Sequence, residues 1–122
     1  MKKETENEVV AHTEENCKKL LLPVQDALDV LNGRWKLPIL IAISFTPKRF
    51  SQISKEVNGI TDRVLSKELK EMEQNKLITR TVYDAFPPVV AYAVTEHGRT
   101  LHKIYGQLGE WGDAHRRLIM GK

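Results

Sequence analysis

The stretch FSQISKEVNGITDRVLSKELKEMEQNKL, Phe50 to Leu77, holds two helical patterns separated by Asn58-Gly59. In the first, Ser51 is placed to cap a short helix that Asn58-Gly59 terminates. Thr61 is placed to cap the second. Two helices joined by a tight turn containing Gly59 match the outline of a helix-turn-helix.

Arranged at ~100° per residue from Leu65, the second helix sorts its charges. Leu65, Leu69 and Met72 fall within roughly 40° of the Leu65 direction and form the face to be buried. On the far side, Arg63, Ser66, Lys67, Lys70 and Gln74 occupy an arc roughly 100° wide that holds no carboxylate. Glu68, Glu71 and Glu73 lie on the flanks. Arg63 and Lys67 are like charges at i,i+4, a mildly repulsive spacing that an anion would relieve. Two readings fit the arc: a solvated face with Lys67 paired to Glu71, or a surface for the phosphates and base edges of a DNA major groove. In helix-turn-helix proteins the N-terminal part of the second helix enters the groove, and here that part carries Thr61, Asp62, Arg63, Ser66 and Lys67. Asp62 suits the helix N-terminus better than a phosphate.

The flanking segments complete the architecture. Upstream, PVQDALDVLNGRW reads as a helix with Pro23 in its first turn, Ala27, Leu28, Val30 and Leu31 as its apolar side, and Asn32-Gly33 as its stop. The next helix, RWKLPILIAISF, is apolar almost all round and belongs at the centre, with Pro38 in its first turn. Downstream, LITRTVYDAFPPVVAYAVT predicts a hairpin with Pro87 and Pro88 confined to the loop. Arg80, Tyr83 and the loop Asp84 to Pro88 form its wing, which either approaches DNA or serves as structural cover. Thr95 then caps a long final helix over about residues 96–120. The expected fold is mainly α with a small β-hairpin wing, a winged helix-turn-helix. Residues 1–19 are expected to be a polar N-terminal arm or a loosely held helix, and residues 20–122 the domain proper.

Composition narrows the function. A chain of 122 residues has room for one modest core. Its net charge of +3 conceals an uneven distribution: residues 1–16 carry two lysines and five glutamates, leaving +6 for the rest, which suits a polyanionic partner. Neither a signal-like opening nor a membrane-length apolar run is present, so a cytoplasmic location without membrane contact is expected. Cys17 is the single cysteine, which excludes an intrachain disulfide or a cysteine metal cluster. His97 and His102 are five apart rather than i,i+4, and His12 and His115 have no evident companions. With no nucleophile elbow, phosphate-cradling glycine loop or paired-carboxylate motif, no catalytic residue, metal site or cofactor is expected.

The final helix places Leu101, Ile104, Tyr105, Leu108, Trp111, His115, Leu118 and Ile119 at spacings of three and four. Its ~25 residues would reach nearly 40 Å, more than a small winged-helix core covers. A second copy of the helix, aided by Leu20, Leu21 and Leu22, is the economical partner; a monomer with a long covering helix is the alternative. A two-fold dimer would set its reading helices roughly one DNA turn apart, ~34–36 Å.

The pieces PVQDALDVLNGRWKLPIL, KRFSQIS, GITDRVLSKELKEME, L-I-T-R-T-V-Y-x-x-x-P-P-x-V-x-Y and VTEHGRTL, in that order from Pro23 to about Trp111, resemble the HxlR-type transcriptional regulators of bacteria, relatives of the MarR-like winged-helix proteins. The resemblance implies a homodimer on a pseudo-palindromic operator in double-stranded DNA, acting as a repressor, with Trp35 packed in the core and Lys36 facing phosphate; for Lys36 a solvated residue is the alternative. It implies a small-molecule effector or an oxidant as the kind of signal. Many members carry a cysteine immediately before the PV of the first helix, where this chain has Leu22. Cys17 lies five residues earlier, and two readings of it stand: a thiolate favoured by Lys18 and Lys19 that senses oxidants, or a thiol with no role. A winged helix that binds protein rather than DNA is the competing function.

Overall fold

The computed structural model describes residues 11–121. The chain divides into two compact units, one ending at Asn32 and the other running from Gly33.

The first unit is built on helix α1, Glu14–Val30. Thr13 caps it, its hydroxyl accepting the Asn16 N–H at 3.1 Å, and Glu14 and Glu15 place negative charge in the first turn. Lys18 and Lys19 sit one turn on, 3.4 Å from Glu14 and 3.9 Å from Glu15. The helix thus starts well before Pro23, which lies in its interior rather than in its first turn. A Thr cap with two acidic residues behind it is a stronger start signal than a proline, and the proline costs the helix one backbone bond. Residues 14–19 of the expected arm are therefore helical, while residues 1–10 of it lie outside the described residues. No residue of α1 is buried.

The second unit begins with α2, Lys36–Ile43, which carries Pro38 in its first turn and buries Ile39, Leu40 and Ile43. A two-residue strand β1, Lys48–Arg49, leads directly into α3, Phe50–Glu56. Ser51 does not cap α3; it lies inside the helix, and the end is closed by the Gln52 side chain, whose Oε1 accepts the Arg49 N–H at 2.8 Å. Gly59, at φ +91°, makes the turn into α4, Asp62–Gln74, where a Cβ-bearing residue would be strained. Ile53, Val57 and Ile60 from the first half of this motif meet Leu65, Leu69 and Met72 in one buried core with Leu77 and Ile78. The last turn of α4 closes with the Lys76 N–H donating to Glu73 and the Leu77 N–H to Met72, with Lys76 left-handed at φ 63°.

Strands β2, Ile78–Tyr83, and β3, Val89–Val94, form the expected hairpin, with Ile78 opposite Val94 and Tyr83 opposite Val89. Pro87 and Pro88 lie in its loop, the Phe86-Pro87 bond being cis. β1 adds an antiparallel third strand on the far side of β3, Lys48 opposite Tyr92.

The final helix is broken. A short α5, Glu96–Arg99, is followed at Thr100 and Leu101 by three-residue hydrogen bonds, Thr100 to His97 and Leu101 to Gly98, before α6 runs from His102 to Met120. Gly98 holds the break in place. A Cβ there would stand 2.2 Å from the Leu77 carbonyl oxygen, so α5 packs on the chain at the end of α4 more closely than any other residue would permit. Thr95 fastens the same point: its hydroxyl accepts the Gly98 N–H and lies 2.6 Å from the Lys76 carbonyl.

Candidate nucleic-acid interface

Helix α4 is anchored from both ends of the turn that precedes it. Thr61 caps it by accepting the Val64 N–H at 3.2 Å, and Asp62 accepts the Ser54 hydroxyl at 3.2 Å, tying α4 to α3. Asp62 thereby serves the turn and the helix N-terminus. Leu65, Leu69 and Met72 are at most 2% exposed, which fixes the rotation of the helix and turns Arg63, Ser66, Lys67, Lys70 and Gln74 outward, all exposed.

The carboxylates on the flanks are drawn the other way. Lys36, at the start of α2, is 1% exposed, and its ammonium lies 2.5 Å from Glu68 and 2.7 Å from Glu71. This corrects both readings of Lys36. With its charge committed beneath α4, it faces neither phosphate nor solvent. Burial alone would pull its ammonium down, but the hydrogen bonds it donates to Glu68 and Glu71, with the charges of those carboxylates, outweigh that and hold it above its ordinary value. The Glu71 carboxyl is held below the usual range by its hydrogen bonds to Lys36 and then Lys67, which approaches its second oxygen at 3.1 Å. Glu68, expected on the flank of the helix, is the charged residue of α4 that is buried. A signal for the cluster existed: Glu68 lies only ~60° from Leu65 on the wheel, and Lys36 is the one charge in the apolar run KLPILIAI. Trp35 is half-buried rather than in the core, with the Arg34 guanidinium 4.5 Å above its ring.

Beside the exposed arc, Ser66, Leu69, Lys70 and Glu73 of α4 line a groove with Arg80 and Tyr92 of the sheet, about 180 Å³ in volume. Arg80 stands directly across the ladder from Tyr92. Tyr83, half exposed, sits at the hairpin tip beside the loop. Sequence reasoning named Arg80 and Lys70 separately; the structure brings them to one groove, through the pairing of β2 with β3.

The apolar positions named for self-association fall on two helices. On α6, Ile104, Leu108 and Trp111 are exposed, as are Leu118 and Ile119, whereas Leu101, before the helix, and Tyr105 are half-buried. His115 stacks on Trp111 with ring centroids 4.9 Å apart. On α1, Leu20, Leu21 and Leu22 are exposed. Cys17 is half-buried, in a hollow lined also by Ala11, His12, Asn16, Lys19 and Leu20. Among the described residues, no group of three or more histidine, cysteine or acidic side chains could hold a metal ion, and no helix is long and apolar enough to cross a membrane.

With this geometry in place, comparison with known proteins gives a consistent result. A family model described as HxlR-like helix-turn-helix matches residues 30–119. The uncharacterized HTH-type transcriptional regulator YybR of Bacillus subtilis (strain 168) is 38% identical over 97 residues, covering 80% of this chain and 78% of that protein. YtcD of the same strain, also described as an HTH-type transcriptional regulator, is 36% identical over 104 residues, covering 85% of this chain and 82% of its own length. The reduced form of the redox regulator HypR superposes with a TM-score of 0.72 at 37% identity, over 82% of this chain and 99% of that one.

Proposed function

Because the chain belongs to the HxlR-like helix-turn-helix family and is a helix-turn-helix transcriptional regulator, we propose that it works as a cytoplasmic homodimer that binds a pseudo-palindromic operator in double-stranded DNA and represses the adjoining gene. One observation supports the reading above the rest. The outward arc of α4 is cationic and polar, while two of its flanking carboxylates are drawn beneath the helix to Lys36. A surface so sorted turns its cations toward a polyanion and leaves Glu73, at the edge of the groove, as the flank carboxylate outside the Lys36 cluster.

In this reading Thr61, Arg63 and Ser66, at the start of α4, approach base edges, and Lys67 and Lys70 meet phosphate. Arg80 and Tyr83 bring the wing to the backbone alongside. The exposed residues of α6, with Leu101, Tyr105 and the Leu20 to Leu21 segment of α1, form the subunit contact. Protection of a pseudo-palindrome upstream of the gene, footprinted over a series of salt concentrations, is the expected result. Lys67→Ala should weaken binding and reduce the slope of log affinity against log salt by about 0.9, the value for one lost phosphate contact. No protected site at any salt, or an unchanged slope in Lys67→Ala, would favour a protein-binding winged helix instead.

HypR is described as a redox regulator with reduced and oxidized forms, and that supports an oxidant as the signal here too. Cys17 is the single thiol through which this chain could respond, by forming a disulfide with a second copy as two thiols give up two electrons and two protons to an oxidant. After mild oxidation a non-reducing gel should show a dimer that Cys17→Ser lacks, together with altered operator binding. An identical response in Cys17→Ser would leave a small-molecule effector as the signal.

A further inference from the structure

The buried lysine beneath α4 does more than fill the core. Glu71 presents one oxygen to Lys36 at 2.7 Å and the other to Lys67 at 3.1 Å, and Glu68 gives its nearer oxygen to Lys36 at 2.5 Å while the other lies 4.0 Å from Lys67. Two carboxylates and two lysines therefore form one cluster, but the lysines differ. Lys36 is 1% exposed at its side chain and anchored in α2, whereas Lys67 is 65% exposed and can swing. Glu71 is one-third exposed, between the two.

We propose that Lys36 is a positioning residue of the DNA interface: by holding Glu68 and Glu71 beneath α4, it lets Lys67 leave Glu71 for a phosphate. This rests on the proposed DNA-binding function. When Lys67 departs, Glu68 and the inner oxygen of Glu71 still face a cation, so neither carboxylate turns toward the groove. Without Lys36 the nearest cation left to either of these two carboxylates within the cluster is Lys67 itself. It would then be retained on the helix, and its charge would be spent before DNA arrives.

The test is a salt series of binding to a fluorescein-labelled duplex of the gene's upstream region. It compares the intact protein with Lys67→Ala, Lys36→Met, the Lys36→Met/Lys67→Ala pair and the Lys36→Met/Glu71→Gln pair. Lys36→Met should lower the salt slope by about 0.9, as Lys67→Ala does. The Lys36→Met/Lys67→Ala pair should lose no more slope than either alone, and Glu71→Gln should restore the slope in the Lys36→Met background. A purely structural role for Lys36 would weaken binding without that change of slope or its non-additivity. A slope equal to that of the intact protein in Lys36→Met, or an additive loss in the double variant, would overturn the proposal.

Should circular dichroism show Lys36→Met unfolded, Glu71→Gln in the otherwise intact chain decides. Lys36 already holds that carboxylate, and of its two pairings only the exposed one to Lys67 competes with phosphate, so affinity should change less than about twofold. A gain of severalfold would mean that Glu71 restrains Lys67 despite Lys36, and would overturn the proposal. Failure of the intact protein to bind any duplex would instead overturn the DNA-binding function itself.

Discussion

Glu71 divides its carboxylate between a lysine it shares with the core and a lysine on the surface, and this division sets how the domain should respond to pH. Its folded-state pKa is lowered, by the hydrogen bond from Lys36 first and that from Lys67 second. A lowered carboxyl contributes stability that is complete above its unfolded value and is lost as pH falls through the folded one. Lys36 is shifted upward, so its contribution is complete below the ordinary lysine value and is lost only as pH climbs through the raised one. Between these limits Glu71 and Lys36 are both charged. Urea unfolding followed from neutral pH down through the carboxylate range should show the intact domain losing stability more steeply than Glu71→Gln, in which the residue no longer titrates. Parallel acid limbs for the two proteins would count against the coupling of Glu71 to Lys36.

At the scale of elements, what could be read from the chain was whatever a single helix or hairpin states about itself. The period of Leu65, Leu69 and Met72 fixed the buried face of α4 and the exposure of its basic arc, because a wheel depends on nothing outside the helix. The hairpin was legible from its β-branched runs and its prolines for the same reason. Features that depend on a second element were not. Strand β1 has two residues, too few for any alternation, and exists because β3 offers it an edge. The break between α5 and α6 follows from the closeness of Gly98 to the Leu77 carbonyl, a contact made across 21 residues of sequence. In the wheel, Gly98 is simply another small residue. Lys36 was misplaced on the same account: its partners lie 32 and 35 residues away, and the approach of α2 to α4 alone converts a lysine expected at the surface into a buried one. The start of α1 was different, since Thr13, Glu14 and Glu15 are local signals that the proline overshadowed.

At the scale of the molecule, the proposed DNA-binding function gives a helix as short as α4 direct contact with few bases, so selectivity in a genome would require two such helices held at a fixed separation. The exposed apolar residues of α6 supply a reason for the protein to pair: Ile104, Leu108, Trp111, Leu118 and Ile119 are all at least 48% exposed in the single chain. Burial against a second copy would remove that surface from water at about 25 cal/mol per Å², whereas no monomeric role for it is evident in the helix itself. Pairing also makes the operator's geometry a test of the assembly. Two half-sites one helical turn apart, ~10–10.5 base pairs, face the same side of the duplex. Inserting about half a turn between them should rotate one half-site to the opposite side and abolish tight binding, and inserting a whole turn should restore the facing but not the distance. Leu108→Glu, placing a charge on the exposed face of α6, should reduce both sedimentation mass and operator affinity, and should make the remaining binding indifferent to the insertion. Equal affinity of the intact protein for the original and the half-turn duplexes would show that one subunit suffices, and that the apolar face of α6 has another partner.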